Sequence, residues 1–226
     1  MLLKKLKTSL KERGVFGTLT FTAKTLQTAY NRYVDLRFDQ KYGTDTRGMV
    51  EVEDLQTNLV TQRYATRYQA TPKKIFDKMM DLVSIKFDEF VFVDFGSGKG
   101  KVLLFASKFP FQKIIGVEFS KKLHKVAKQN VDLFLARTGR TNNFELHCMD
   151  VTQFILPRQK TVLFLYNPFQ ETVMKAILKN LAILYAENPL EFIILYYNLK
   201  CAKIFSEFGF LRLVEENSTY HIYTTN

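Results

Sequence analysis

The stretch VDFGSGKGKVLLFAS, residues Val93 to Ser107, joins an apolar strand to an apolar helix through a glycine-rich turn. Gly96, Gly98 and Gly100 allow a sharp turn and a close approach of the backbone to a ligand, and the first amides of the helix make the turn electrostatically positive. Open α/β sheets bind their ligands beyond the carboxyl ends of such strands. We therefore expect the functional residues of this chain where its strands end.

The chain after this stretch alternates between apolar strands and amphipathic helices. Strands are predicted at Phe90–Asp94, Lys113–Glu118, Phe144–Cys148, Thr161–Tyr166 and Glu191–Tyr197, with a closing hairpin at Leu211–Glu216 and Tyr220–Thr224. Helices are predicted at Gly100–Lys108, Ser120–Arg137, Glu171–Ala186 and Leu199–Phe208. Strict alternation indicates parallel pairing, and continuous apolar runs indicate strands buried on both faces. The predicted fold class is α/β: a doubly wound, mostly parallel, seven-stranded Rossmann-like sheet that ends in an antiparallel hairpin.

Residues 1–70 follow a different pattern. Apolar residues at helical spacing predict two amphipathic helices that meet near Gly14, and a loop-rich bridge is predicted from Asp35 onward. Thr71 and the proline after it are typical of a helix start. We therefore predict a basic helical extension with a bridging loop at 1–70 and a sheet domain at 71–226.

Composition and charge limit the class of protein. The chain of 226 residues is 46% hydrophobic and 24% charged, which excludes collagen-like and wholly disordered proteins. Its net charge is +11, and residues 1–32 hold seven Lys and Arg against Glu12 alone, a net +6. This excess favours an anionic partner, which is RNA, an acidic protein or an anionic membrane surface contacted through residues 1–32.

Neither a membrane span nor a metal site is predicted. The uncharged run Gly14–Ala23 is too short to cross a membrane and lacks the cleavage site of a signal peptide. A cytoplasmic location is expected, with peripheral membrane association as an open alternative. Cys148 and Cys201 form no CxxC pair, so the sequence predicts neither a disulfide framework nor a cysteine zinc site.

Acidic residues end the strands that follow the glycine turn. Glu118 ends the second strand 18 residues after Gly100, and Asp150 follows the third. A triphosphate-binding loop needs serine or threonine after Lys101, and a dinucleotide loop needs glycine in place of Lys101, so both ligands are disfavoured. S-adenosylmethionine is the candidate that is left, because the carboxylate of Glu118 can accept hydrogen bonds from both ribose hydroxyls.

These strand-end residues together resemble class I S-adenosylmethionine-dependent methyltransferases over residues 88–226. The segments VDFGSGKGKVLLFAS and IGVEFSKKLHKVAKQN further resemble bacterial methyltransferases related to the histone-lysine enzymes outside the SET class. The resemblance implies that S-adenosylmethionine is the cofactor and that residues 71–226 bind it. The cofactor-binding residues that it implies are Tyr68, Thr71, Asp94, Gly96, Ser97, Gly98, Gly100, Glu118, Phe119, Asp150, Val151 and Asn167.

The same resemblance assigns parts of the cofactor to particular residues. It implies that Asp94 and Gly96 hold the methionine part and that Glu118 holds the ribose. Asp150 and Val151 are the residues implied for adenine. Tyr68 and Thr71 belong to a segment similar to the one that closes over the cofactor in the histone-lysine-type group.

Asn167, Pro168 and Phe169 follow the fourth strand and are predicted to be catalytic. The amide oxygen of Asn167 and the carbonyl of Pro168 can accept N–H bonds from an amine and aim its lone pair at a methyl group. The ring of Phe169 can cover the cationic centre. Phe169 stands where enzymes acting on nucleobase amines have a second proline, which disfavours adenine N6 as acceptor. A helix cap before Glu171 is the structural alternative for Asn167 and Pro168.

The predicted function is enzymatic transfer of a methyl group to a nitrogen nucleophile. A protein amine such as lysine ranks first among the acceptors, because of the resemblance to histone-lysine-type enzymes. The alternatives are an RNA or small-molecule methyltransferase and a non-catalytic nucleotide-binding module.

Overall fold

A computed structural model describes residues 2–51, 55, 68–166 and 169–226, with the backbone alone for residues 2–11, 13 and 24. The helices are α1 (Leu2–Tyr42), α2 (Lys73–Asp81), α3 (Lys101–Ala106), α4 (Lys121–Thr138) and α5 (Glu171–Glu187). The strands are β1 (Met49–Val50), β2 (Tyr68–Gln69), β3 (Val91–Phe95), β4 (Lys113–Glu118), β5 (Phe144–Cys148), β6 (Thr161–Tyr166), β7 (Phe192–Tyr197), β8 (Leu211–Glu216) and β9 (Tyr220–Thr225). Short 3-10 helices lie at Phe87–Glu89, Val151–Gln153 and Ala202–Glu207.

Strands β3 to β9 form a seven-stranded sheet in the order β5-β4-β3-β6-β7-β9-β8. The first five strands of this order are parallel, and β9 runs antiparallel to both β7 and β8. The chain proceeds outward from β3 to β5 and then returns to β6 and β7 on the other side of β3. The strand order therefore reverses next to β3, where a crevice opens beyond the strand ends. The predicted fold class is confirmed.

Helices cover both faces of the sheet. On one face, Met174 and Ile177 of α5 are buried in a cluster that includes Val93. On the other face, Phe76 of α2 packs with Phe92, the neighbour of Val93 on β3. Burial on both faces explains why the inner parallel strands β3, β4, β6 and β7 are largely apolar in the sequence, whereas the edge strand β5 includes Glu145 and His147.

Helix α1 is longer than predicted. Its backbone is non-helical at Gly14, with φ of 67°, but the helix then continues to Tyr42, so the loop predicted from Asp35 is wrong at its start. Tertiary packing is the reason, because the rings of Phe38 and Phe105 lie 5.2 Å apart. The carboxylate of Asp35 also forms a buried ion pair with Lys101 of α3.

Two smaller elements differ as well. The helix predicted at Leu199–Phe208 is a 3-10 helix at Ala202–Glu207. Pro72 occupies the N-cap of α2, and no side chain caps that helix, so Thr71 does not act as its cap. The division predicted at residue 70 stays a prediction. No helix within the described part of the chain is long and apolar enough to cross a membrane.

Candidate cofactor and acceptor site

A cavity of about 210 Å³ opens beyond the carboxyl ends of β3, β4, β6 and β7. The predicted site residues that line it are Tyr68, Thr71, Asp94, Gly96, Ser97, Glu118, Phe119 and Phe169. These residues come from separate parts of the chain. They meet because neighbouring parallel strands end at the same edge of the sheet.

The glycine turn after β3 is held by the neighbouring strand. The N–H of Gly96 donates to the carbonyl of Val117 at 2.8 Å, and the N–H of Gly98 donates to Oε2 of Glu118 at 2.8 Å. Gly98 has φ of +54°, and a side chain there would overlap with the ring of Tyr68. The absence of a side chain at Gly98 therefore lets the ring of Tyr68 pack against the turn. Gly98 and Gly100 do not themselves line the cavity.

Glu118 is a buried carboxylate, only 3% exposed, at the end of β4. Its Oε1 accepts a hydrogen bond from the N–H of Ser120 at 2.8 Å, and its Oε2 accepts the one from Gly98. Burial raises the pKa of this carboxyl to about 7, and the backbone N–H bonds only partly oppose the rise. Each oxygen has a second lone pair. Glu118 can therefore still accept hydrogen bonds from a molecule in the cavity.

Asp94 is a second buried carboxylate at the end of β3, also 3% exposed. Burial raises its pKa well above the ordinary value, and the nearby Glu118 raises it further. None of the described residues donates a hydrogen bond to it. A buried carboxylate in this state is stabilised by a cation, so Asp94 suits the ammonium group of a ligand.

Tyr68 is held by the loop that follows α1. Its hydroxyl donates to the carbonyl of Thr46 at 2.7 Å. The carboxylate of Asp39, on α1, accepts hydrogen bonds from the hydroxyls of Thr44 and Thr46 and from the N–H groups of Thr46 and Arg47, at 2.8 to 3.2 Å. The end of α1 thus sets the shape of the loop that positions Tyr68.

Asn130 of α4 joins the same loop to the glycine turn. Its Nδ2 donates to the carbonyls of Asp45 and Lys99 at 2.9 and 2.8 Å, and its Oδ1 accepts from the N–H of Asp45 at 2.8 Å. The ammonium of Lys99 contacts both carboxylate oxygens of Asp45 at 3.0 Å. The end of α1, the loop and the turn therefore form one hydrogen-bonded unit beside the cavity.

Some predicted residues are not brought to this cavity. Asp150 is exposed, and its carboxylate accepts from the N–H and the hydroxyl of Thr152 at 2.8 and 2.7 Å. Val151 is buried in the core beneath the sheet edge. Neither residue lines the cavity. Asn167 and Pro168 lie outside the described residues, so their predicted roles stay predictions.

The cavity also contains residues that the sequence reasoning missed. These are Leu55, Gln69, Lys101, Val102, Leu123, Phe164, Tyr166, Asn198 and Lys200. Asn198 directly follows β7 and has a positive φ of 61°, a conformation that non-glycine residues rarely adopt away from functional sites or turns. Glu118 was predicted because it lies at the carboxyl end of a strand. Asn198 lies at the carboxyl end of β7, so the same rule would have predicted Asn198 as a site residue. No group of three or more His, Cys, Asp or Glu within the described ranges could hold a metal ion.

Comparisons with known proteins agree with this architecture. The model of the family described as "Histone methylation protein DOT1" matches residues 62–183. Among solved structures, precorrin-8w decarboxylase from Methanobacterium thermoautotrophicum is similar over 70% of this chain and 92% of its own, with 15% identity and a TM-score of 0.50. The ribosomal protein L11 methylase from Lactobacillus delbrueckii subsp. bulgaricus is similar over 68% of this chain and 77% of its own, with 12% identity and a TM-score of 0.50. The comparison with curated proteins gave no match.

Proposed function

The chain belongs to the DOT1 histone-methylation family of S-adenosylmethionine-dependent methyltransferases, and from this premise we propose that it methylates a protein amine, with lysine as the acceptor residue. The observation that carries the proposal is one cavity lined both by two buried carboxylates, Asp94 and Glu118, and by aromatic side chains. The carboxylates fit the cofactor, and the aromatic side chains fit an alkylamine. The narrower resemblance to bacterial members stays a prediction.

The described contacts support Glu118 and Asp94 as the main cofactor-binding residues. When bound, S-adenosylmethionine supplies an electrophilic methyl group on a sulfonium. The free lone pairs of Glu118 would accept hydrogen bonds from the ribose hydroxyls, while Asp94 would neutralise the amino group of the methionine part. Gly96 lines the same cavity, so its backbone could contact the cofactor without a side chain between them.

Three aromatic residues support an amine acceptor. Phe164, Tyr166 and Phe169 line the cavity, and the ring of Tyr166 is backed by that of Tyr197 at 4.5 Å. Aromatic faces attract cations and tolerate apolar chains, so they suit both the methylenes and the ammonium of a lysine. Burial beside them lowers the pKa of the amine, which then loses its proton to solvent before transfer. The new C–N bond forms as the C–S bond breaks, and Asn167 is predicted to orient the lone pair.

Transfer of labelled methyl groups to a host lysate tests the acceptor class. We expect the labelled methyl groups to be attached to protein by a bond that is stable to base. After hydrolysis of that protein, the label should be recovered as N-methyl-lysine. The Gly98→Val variant, in which cofactor binding is expected to be abolished, serves as the control. Label that stays in RNA after protease treatment would reject the protein amine. RNA is the second candidate, because the net charge of +11 also favours a polyanion.

Removal of the Glu118 carboxylate should weaken binding of S-adenosylhomocysteine, the demethylated product, by roughly 1.5 to 3 kcal/mol, the value of hydrogen bonds to a charged group. Calorimetry on Glu118→Ala measures the change. Glu145→Ala is the matched control, because that carboxylate lies on the next strand and pairs with Lys113 and His147 outside the cavity. Equal losses in the two variants would contradict the assignment.

Binding of S-adenosylhomocysteine should also depend on pH. The pKa of Glu118 is raised from 4.5 to about 7, so the carboxyl is mostly protonated one unit below 7 and mostly ionised one unit above it. A ligand that needs the ionised form should bind about tenfold more weakly at the lower pH. The raised pKa of Asp94 acts in the same direction.

The raised pKa of Glu118 affects the folding stability of the unliganded protein in the direction opposite to its effect on ligand binding. A folded pKa above the unfolded value means that Glu118 contributes stability below pH 4.5 that is lost as pH rises through 7. Urea titrations without ligand and calorimetry with ligand therefore should show opposite trends. The Glu118→Gln variant should reduce the pH dependence of both, with Asp94 as the remaining titrating group, and an unchanged profile in that variant would assign the titration to another group.

A further inference from the structure

Helix α1 carries a row of exposed apolar side chains in the part that precedes its docking residues. Val15, Leu19, Leu26, Tyr30 and Tyr33 are each at least 58% exposed. Their spacing of four, seven, four and three residues places them on one side of a helix. We call this row the apolar stripe.

Most of the apolar stripe lies away from the sheet domain, and Tyr30 at its edge borders a groove shared with Lys73 and Asp77 of α2. The side chains through which α1 docks are Asp35, Phe38 and Tyr42, which contact α3 and α4. At about 100° per residue, these docked positions lie roughly half a turn around the helix axis from the stripe. Arg37 and Lys41, both exposed, fall on the same side as the stripe.

The polar groups beside the stripe are already satisfied within the helix. The hydroxyls of the exposed Thr22 and Thr25 each donate at 2.8 Å to the carbonyl four residues earlier, as does that of Thr18, which is already buried within the chain. A threonine bonded in this way needs no water for its hydroxyl proton. This side of the helix can therefore enter an apolar environment at little cost in lost hydrogen bonds.

The net charge of residues 1–32 indicates which kind of partner covers the apolar stripe. Residues 1–32 carry a net +6 with Glu12 as their one acid, so pairing two copies of the helix would bring like charges together. RNA would neutralise the charge but leave the stripe in water. We propose that α1 binds the surface of an anionic lipid membrane, with the apolar stripe among the acyl chains and its basic residues at the headgroups. This proposal goes beyond methyl transfer and does not depend on it.

Flotation of the full chain with lipid vesicles tests the proposal without cofactor or acceptor. Vesicles of phosphatidylcholine and phosphatidylglycerol should carry the protein, and binding should be about tenfold weaker on phosphatidylcholine alone. Absence of binding to the anionic vesicles, or equal binding to both kinds, would overturn the proposal.

Substitutions on the two sides of α1 separate the stripe from mere charge. Leu19→Ser/Leu26→Ser should bind anionic vesicles about tenfold more weakly or worse. Phe21→Ser is the control, because Phe21 is an exposed apolar residue on the other side of the same helix, and its binding should stay within about twofold. Circular dichroism checks that both variants are folded. Unchanged binding of the stripe variant, or a dimer in solution that only this variant loses, would show that lipid does not cover the stripe.

Discussion

Replacing Gly98 by valine should abolish detectable binding of S-adenosylhomocysteine. Its Cβ would overlap with Cδ2 and Cε2 of Tyr68, and the backbone at φ of +54° is one that L side chains rarely adopt. The ring of Tyr68 must then move away from the turn, and its hydroxyl loses the hydrogen bond to the carbonyl of Thr46. The turn would also move the N–H that Gly98 donates to Glu118. Calorimetry should change from micromolar binding, on the order of −8 kcal/mol, to no measurable heat.

Gly139→Val is the matched control for this prediction. Gly139 ends α4 with φ of +64°, and no atom lies within 4 Å of the position that a Cβ would take. The two substitutions therefore impose similar backbone strain, but only Gly98→Val creates a clash. Binding by Gly139→Val should stay within about twofold of the original chain, since its strain lies in a surface turn. If both variants lost binding equally, strain alone would explain the loss and Tyr68 would have no role at the site.

The sheet could be predicted from the sequence because its inner strands are short apolar runs between clear breaks and its edge strand at 144–148 alternates apolar and polar residues. The ranges Lys113–Glu118, Phe144–Cys148 and Thr161–Tyr166 agree with the structure at both ends. A strand that is buried on both faces can be predicted from its own residues alone, because nearly all of them are apolar. The strand-end rule then placed Asp94 and Glu118 in one cavity, because parallel neighbours end together.

The rest of the site depends on contacts between distant residues. From the sequence, Asp39 is an ordinary polar residue of a predicted loop and Asn130 one of a predicted helix, yet both bind the loop at 44–47. Asp150 was predicted by the same strand-end rule as Glu118, but β5 lies at the edge of the sheet and the Asp150 carboxylate turns to Thr152. The rule predicts at which edge of the sheet the cavity lies, and tertiary packing decides which side chains reach that cavity.

Loss of the Asp35 carboxylate should destabilise the chain by about 3 to 5 kcal/mol, the usual effect of leaving one member of a buried ion pair alone. Asp35 and Lys101 lie 66 residues apart and form this pair between α1 and α3. Lys101 is only 2% exposed, so removal of Asp35 leaves a largely buried ammonium without its charged partner. Urea denaturation of Asp35→Ala measures the loss. Asp45→Ala, which breaks the exposed pair with Lys99, should cost at most about 1 kcal/mol.

The pH dependence of the Asp35→Ala deficit distinguishes the lost charge partner from lost packing. Burial lowers the pKa of Lys101 below its ordinary 10.5, and Asp35 opposes that effect. Without Asp35 the folded pKa falls further, so the unfolded chain binds more protons than the folded one and stability rises with pH up to 10.5. The deficit should therefore shrink as pH rises. Asp35→Leu/Lys101→Met, which removes both charges, should recover most of the stability at every pH. A deficit that is constant with pH and persists in the double variant would mean that lost packing around Asp35, and not an unpaired charge on Lys101, destabilises the chain.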